Sequence, residues 1–152
     1  KRVLFRSNFF LKDSASQVPW IMSEYVSHSD ANDGFYFTHP IYSQPTFYYP
    51  PSFDAIQPIF EIIEPNSLIR IKANLYPKTE KIIHHKNHCD WEFSHKGCIF
   101  YLNSNDGFTV INDKIFVESV ENRLLLFDSS IPHRSTTCTN NNYRSNINFN
   151  YF

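Results

Sequence analysis

From Leu68 onward the chain is a succession of short strand-type runs, each stopped by a turn signal, and this cadence restricts the fold more than any other feature. The segment LIRIKANLYP (68–77) alternates Leu68, Arg70, Lys72, Asn74 and Tyr76 on one face with Ile69, Ile71, Ala73 and Leu75 on the other. That is the two-residue period of a strand. Further runs follow at 98–102, 108–111, 115–120, 123–127 and 145–151, punctuated by Lys96-Gly97, Asp106-Gly107, Asn112-Asp113 and the polar cluster 136–142. An aromatic fraction of 17% with only 3 Gly, and scarce Ala, favours strands over helices. The expected fold is mainly β, a sandwich or barrel of jelly-roll type, with one or two supporting N-terminal helices.

The N-terminal part reads differently. Residues 1–11 have the aliphatic and aromatic content of an edge strand, and 14–26 that of a short helix with Pro19 in its first turn. Residues 28–53, with Asp33-Gly34 and four prolines, read as an irregular connection whose aromatics cover the core, or as a lid facing substrate. Ala55 to Glu64 spaces Ile56, Ile59, Phe60 and Ile63 as an amphipathic helix that Pro65 ends. With 152 residues, one domain is expected over 1–152, with 1–67 as helical and loop support and 68–152 as the core. The chain begins at Lys1 rather than Met, as a fragment or a processed chain would.

A net charge of -1 gives no global attraction to nucleic acid or acidic membranes. Cys89, Cys98 and Cys138 are odd in number and lack C-x-x-C spacing, which argues against a secreted disulfide scaffold and for a cytoplasmic location. No apolar run near 18 residues and no signal-peptide pattern points to a membrane.

Chemistry concentrates in HHKNHCD (84–90). Its His88 and Asp90 form an H-x-D pair, and on an extended strand residues two apart share a face. A histidine from a distant run would complete the two-His-one-carboxylate triad of non-haem Fe(II) oxygenases, and His133, in FDSSIPHRST, is the candidate. His84 and His85 are rivals that lack an acid two positions on and read as solvated or supporting groups. A zinc site through Cys89 is disfavoured, because Cys89 alternates away from His88 and Asp90. Arg144 opens RSNINFNYF, and its planar fork matches a carboxylate bidentately. Arg70 and Lys72 read as a solvated face, with a substrate mouth as the alternative.

In order along the chain stand Tyr76-Pro77, His88-x-Asp90, CIFYLN (98–103), Gly107, NRLLLF (122–127), Pro132-His133, and Arg144 followed by Tyr151-Phe152. With these pieces, residues 68–152 resemble the Fe(II)/2-oxoglutarate-dependent dioxygenase superfamily, and within it the prolyl 4-hydroxylase-like branch. The resemblance implies that the jelly roll is a double-stranded β-helix (cupin-like), that His88, Asp90 and His133 bind Fe(II), that Arg144 pairs with the distal carboxylate of 2-oxoglutarate, that Tyr101 assists that carboxylate, and that Tyr76 lines the co-substrate pocket. With O₂ as second co-substrate, it implies hydroxylation of a C–H bond of a protein or peptide, a prolyl residue by this branch, with succinate and CO₂ as co-products. Asn148 and Asn150 depart from the Thr and Trp usual in those enzymes, the loop 91–97 is short, and the first 67 residues show no match. Two alternatives stand beside this reading: an AlkB-like nucleic-acid demethylase, and a non-enzymatic cupin-like module binding a small ligand.

Overall fold

The apolar face of LIRIKANLYP is buried because this segment lies deep within a sheet. It forms β4 (Leu68–Pro77) in a computed structural model that describes residues 8–11, 18–26, 34–45 and 47–152. Around it are β1 (Ile21–Ser23), β2 (Tyr36–Ser43), β3 (Phe47–Tyr48), β5 (Lys96–Tyr101), β8 (Leu124–Asp128) and β10 (Tyr143–Tyr151). These make a seven-stranded sheet in the order β1-β2-β4-β10-β5-β8, with β3 beside β2. A three-stranded sheet, β7-β6-β9, is built from β6 (Phe108–Ile111), β7 (Ile115–Glu118) and β9 (His133–Ser135). Every pairing is antiparallel. The two sheets give the expected mainly β jelly roll.

Strand β10 shows how the layers arise. Its Ile147, Phe149 and Tyr151 enter the apolar core with Ile71 and Ala73 of β4 and Cys98 and Phe100 of β5. Helices α2 (Pro50–Ala55) and α3 (Gln57–Ile63) cover that face, contributing Ile59 and Ile63, with Ile56 between them. Burial of each such side chain contributes about 1.5–3 kcal/mol. The alternate residues Arg144, Asn146, Asn148 and Asn150 are also buried, but on the opposite face, toward the smaller sheet. One strand thus serves an apolar layer and a polar interior.

The helix expected over 55–64 is present as α3, beginning at Gln57, with the separate helix α2 before it: prolines occupy the first turns of both, the chain breaks at Ile56, and left-handed Glu64 (φ 44°) closes α3 before Pro65. Three N-terminal expectations are corrected. Residues 1–7 lie outside the described residues, and Asn8–Leu11 is a short helix, α1, not an edge strand. Residues 14–17 also lie outside them, while Ile21–Ser23 pairs as a strand with Thr38, Phe37 and Tyr36. The supposed loop contains β2, a full member of the main sheet. Pro40 hides it from sequence patterns, yet the pairing with β4 shifts register between Pro40 and Tyr42, a bulge that accommodates a residue without N–H.

Lys96-Gly97 is not a turn but lies inside β5, where Gly97 is required by close approach: a Cβ there would lie 2.6 Å from Ser129 Oγ and 2.9 Å from Phe127 Cε1. Asn112 and Asp113, by contrast, do turn the β6–β7 hairpin with positive φ angles of 50° and 54°. We predict that Gly97→Ala lowers stability by about 1–3 kcal/mol in urea denaturation; an unchanged midpoint would show that this contact yields freely.

His39 of β2 is wholly buried, with Nδ1 2.9 Å from the Pro19 carbonyl and Nε2 2.8 Å from Ser52 Oγ. The neutral ring fits both partners, donating to Pro19 and accepting from Ser52. Burial lowers its pKa from 6.5 and outweighs the Pro19 bond, which raises it. A folded pKa below the unfolded one means stability that is present above the unfolded value and is lost as pH falls through the folded one. The urea midpoint should therefore drop between pH 7.5 and 5.5, and His39→Gln should shallow that slope. An identical slope in the variant would remove His39 from the account.

Candidate metal centre

The segment containing HHKNHCD runs extended beside β9. His88 N–H donates to the His133 carbonyl at 3.0 Å and His133 N–H returns to the His88 carbonyl at 2.9 Å, which sets the two imidazoles side by side with centroids 4.7 Å apart. A further bond from Asp90 N–H to the Ser129 carbonyl, at 3.2 Å, fixes the end of the segment. The ligating atoms of His88, Asp90 and His133 then all lie within 4.8 Å of one another. His88 Nδ1 faces the Lys86 carbonyl at 3.2 Å and His133 Nδ1 the Ile131 carbonyl at 2.9 Å. A neutral ring donating from Nδ1 presents its Nε2 lone pair, as a metal ligand must. Burial, and then the neighbouring His133, lower the pKa of His88, so the neutral form is favoured.

Asp90 is clamped from several sides. Oδ1 accepts from Arg70 Nη2 at 2.8 Å, and Oδ2 accepts from Ser129 Oγ at 2.8 Å, Asn150 Nδ2 at 2.8 Å and Asn148 Nδ2 at 3.4 Å. Burial alone pushes its carboxyl up, but Arg70, His133, Asn150 and Lys72 together hold it well below the usual carboxylate range. The carboxylate is anionic and fixed in direction. Asn150 is braced in turn by His95 Nε2 at 3.3 Å, and the Arg70 guanidinium lies over Trp91, 4.5 Å from the ring centroid.

Beside these ligands is a cavity between the sheets, walled in part by Tyr76, Asn74, Asn146, Thr109 and Lys72. Tyr76 is one of its wall residues. Arg144 does not reach its surface: fully buried, it lies behind Thr109 and Tyr76. Its Nε donates to Ser119 Oγ at 2.7 Å and its Nη2 to Thr109 Oγ1 at 2.9 Å, while the guanidinium stacks 5.4 Å from the Tyr76 centroid and 5.7 Å from that of Tyr101. Among the described residues no carboxylate lies within 4 Å of it. The Tyr101 hydroxyl also donates to Thr109 Oγ1, at 2.8 Å. With two donors already on that oxygen, Thr109 has its own hydroxyl hydrogen to offer elsewhere.

Sequence reasoning missed Thr109, Ser129 and the role of Asn150. Counting by twos from Arg144 along β10 reaches Asn150 and would have found it. Thr109 and Ser129 carry no such signal, because their roles depend on contacts between strands. His84 and His85, read as a pair, separate in the structure. His84 is exposed near Arg134, whereas His85 is buried with Nδ1 2.6 Å from Ser135 Oγ, its ring 5.0 Å from Tyr76. Arg70 and Lys72 are not a solvated face: both line an outer cavity that shares His88 and Asp90 with the inner one. Cys89 is exposed there and outside the ligand cluster.

No family model and no curated protein matches the chain. Solved structures similar to it include an oxidoreductase of the 2OG-Fe(II) oxygenase family from Burkholderia pseudomallei, with TM-score 0.64 at 11% identity, covering 90% of this chain and 74% of that one. A viral collagen prolyl hydroxylase from Paramecium bursaria Chlorella virus-1, in complex with 2OG, aligns with TM-score 0.55 at 8% identity over 76% of this chain and 78% of that one. A cupin 2 conserved barrel domain protein from Rhodopseudomonas palustris gives TM-score 0.53 at 6% identity, covering 88% and 72%. At such identities the likeness establishes the jelly-roll fold, which oxygenases and cupins share.

If the clamp positions Asp90 for a metal, Asn150→Leu should weaken Co(II) binding, followed by visible absorption, about 10- to 100-fold while the protein stays folded. Unchanged affinity would show that Arg70 and Ser129 suffice.

Proposed function

We propose that the chain is an Fe(II)- and 2-oxoglutarate-dependent dioxygenase that hydroxylates a C–H bond, with a prolyl residue of a protein or peptide as the target. The observation that carries this reading is the convergence of His88 Nε2, His133 Nε2 and the Asp90 carboxylate, each already oriented by a hydrogen bond on its far side. Two neutral imidazoles and one carboxylate make a donor set suited to Fe(II) and leave coordination positions open. Fe(II) held there, with 2-oxoglutarate and O₂, would supply the oxidising power, the keto acid leaving as succinate and CO₂.

The chain's own residues would bind and orient. Arg144 is a permanent cation buried without an acidic partner among the described residues, an arrangement that is costly unless an anion arrives. The distal carboxylate of the keto acid meets that need. Its anchor would be composite, with the Thr109 hydroxyl at the cavity wall, Arg144 behind it, and Tyr101 fixing the orientation of Thr109. Tyr76, stacked on Tyr36 with centroids 5.5 Å apart, forms a stiff side wall that excludes water.

The prolyl target rests on the ordered motif resemblance and on the prolyl hydroxylase among the similar folds. A base demethylase is less well supported: the net charge is -1 and RSNINFNYF carries no second arginine. A non-enzymatic cupin-like module would not require a complete triad, and here all three ligands converge.

Addition of Fe(II) and 2-oxoglutarate to anaerobic protein should produce a weak visible charge-transfer band, and its absence from folded, metal-loaded protein would sink the assignment. Asp90→Asn, which keeps the side chain's size within its clamp, and Arg144→Ala should each abolish substrate-independent succinate formation, read on protein whose circular dichroism spectrum shows it folded. Wild-type turnover in either variant rejects the role given to that residue.

A further inference from the structure

We infer that the substrate oxidised at this centre carries a carboxylate close to the reacting carbon, and that Lys72 is the residue that recognises it. The inference rests on the oxygenase reading and narrows its substrate.

Lys72 sits on the polar face of β4, opposite Asn148 of β10, and lines both the inner cavity and the outer one that opens beside His88 and Asp90. Among the described residues its ammonium has one weak hydrogen-bond partner, the Tyr36 hydroxyl at 3.4 Å, and lies 5.7 Å from the Tyr36 ring centroid. Among the described residues no carboxylate lies within 4 Å of it. Asp90 is the one acid among the described residues lining either cavity, and its oxygens are committed to Arg70, Ser129, Asn150 and the metal position.

The charges on the wall point the same way. A divalent metal, Asp90 and a dianionic keto acid together leave one negative charge, which Arg144 offsets. With Arg134 of the inner cavity paired to Asp113, Arg70 and Lys72 then remain as two positive charges facing the substrate side, and Arg70 keeps a buried Nε–H with no partner among the described residues. An ammonium partly withdrawn from water with no counter-charge is disfavoured, and an incoming carboxylate would relieve it. A neutral substrate would leave it unrelieved. The carboxylate could belong to the oxidised residue itself, as in a free or C-terminal amino acid, or to an acidic residue next to it in a peptide.

The test uses the full chain loaded anaerobically with Mn(II) and 2-oxoglutarate, and reads binding by calorimetry instead of turnover. Two matched pairs of probes separate the sources: N-acetyl-L-proline against its amide, and N-acetyl-Pro-Glu-amide against N-acetyl-Pro-Gln-amide. In one pair the acid should bind about tenfold or more tightly than its neutral partner, the range expected for a charge-assisted bond. Lys72→Met and Lys72→Gln should each erase that preference, and Lys72→Arg should restore most of it, all three retaining the wild-type affinity for 2-oxoglutarate.

Equal binding of acid and neutral probe in both pairs by the wild type would overturn the inference, whether or not any variant folds. So would a preference that survives Lys72→Met, or a variant that loses 2-oxoglutarate affinity while keeping the preference, which would assign Lys72 to the keto acid. Failure of the wild type to take up Mn(II) and 2-oxoglutarate is scored separately, before any probe is added, and removes the oxygenase reading together with this one.

Discussion

The buried carboxylate of Asp90 is the interaction on which the interior depends. A charge is taken out of water only where donors replace the lost hydration, and here they come from β4 through Arg70, from β10 through Asn148 and Asn150, and from the turn after β8 through Ser129. Each of these segments must hold its register for the carboxylate to be satisfied. Register in turn is enforced on the other side of the same strands, where Ile71, Ala73, Ile147 and Phe149 would exchange core for cavity if either strand slipped by one residue. The apolar core and the candidate site are two consequences of one alternation.

Much of the second half was legible for that reason. A period of two is a local property, so β4, β6 and β10 are read nearly to their ends, and the H-x-D pair gains meaning from side chains two apart. What was not legible depends on packing. Gly97 resembles a turn residue, yet it is glycine because Ser129 and Phe127 lie where a Cβ would go. Pro40 argues against a strand, yet β2 carries it at a bulge. Ile21–Ser23 has no strand signature of its own and becomes one by pairing with an exposed edge. In the site, Tyr76, His88, Asp90, His133 and Arg144 stand out by type and order, whereas Thr109 and Ser129 are ordinary hydroxyls until the second sheet is laid against the first.

The position of Arg144 gives the proposed anion anchor a particular form. A guanidinium at the cavity surface would act as a bare fork. Placed behind Thr109, stacked on Tyr76 and Tyr101 and bonded to Ser119, it would act on the proposed anion through a neutral hydroxyl whose remaining hydrogen it helps to direct. The cation keeps its field within reach of the cavity while its own hydrogen bonds are met by hydroxyls and the Thr136 carbonyl. These bonds lessen the cost of a fully buried charge but leave it without a counter-charge among the described residues, which is the part an anion would supply.

The asparagines at 148 and 150 have a related consequence for Lys72. Because their amides share the work of holding Asp90, the carboxylate is satisfied without drawing the lysine ammonium onto itself. Burial, and then the charge of Arg70, lower the pKa of Lys72 to about 8, which is the physical sign of a cation that its own protein does not fully compensate. Near neutral pH most of the population is still charged. A lysine in that condition, open to both cavities and adjacent in register to Asn148, stands to gain from an anionic ligand. The asparagines that set this strand apart from the prolyl hydroxylases it resembles are also the feature that leaves this cation available, so that departure and the proposed anionic substrate would be parts of one arrangement.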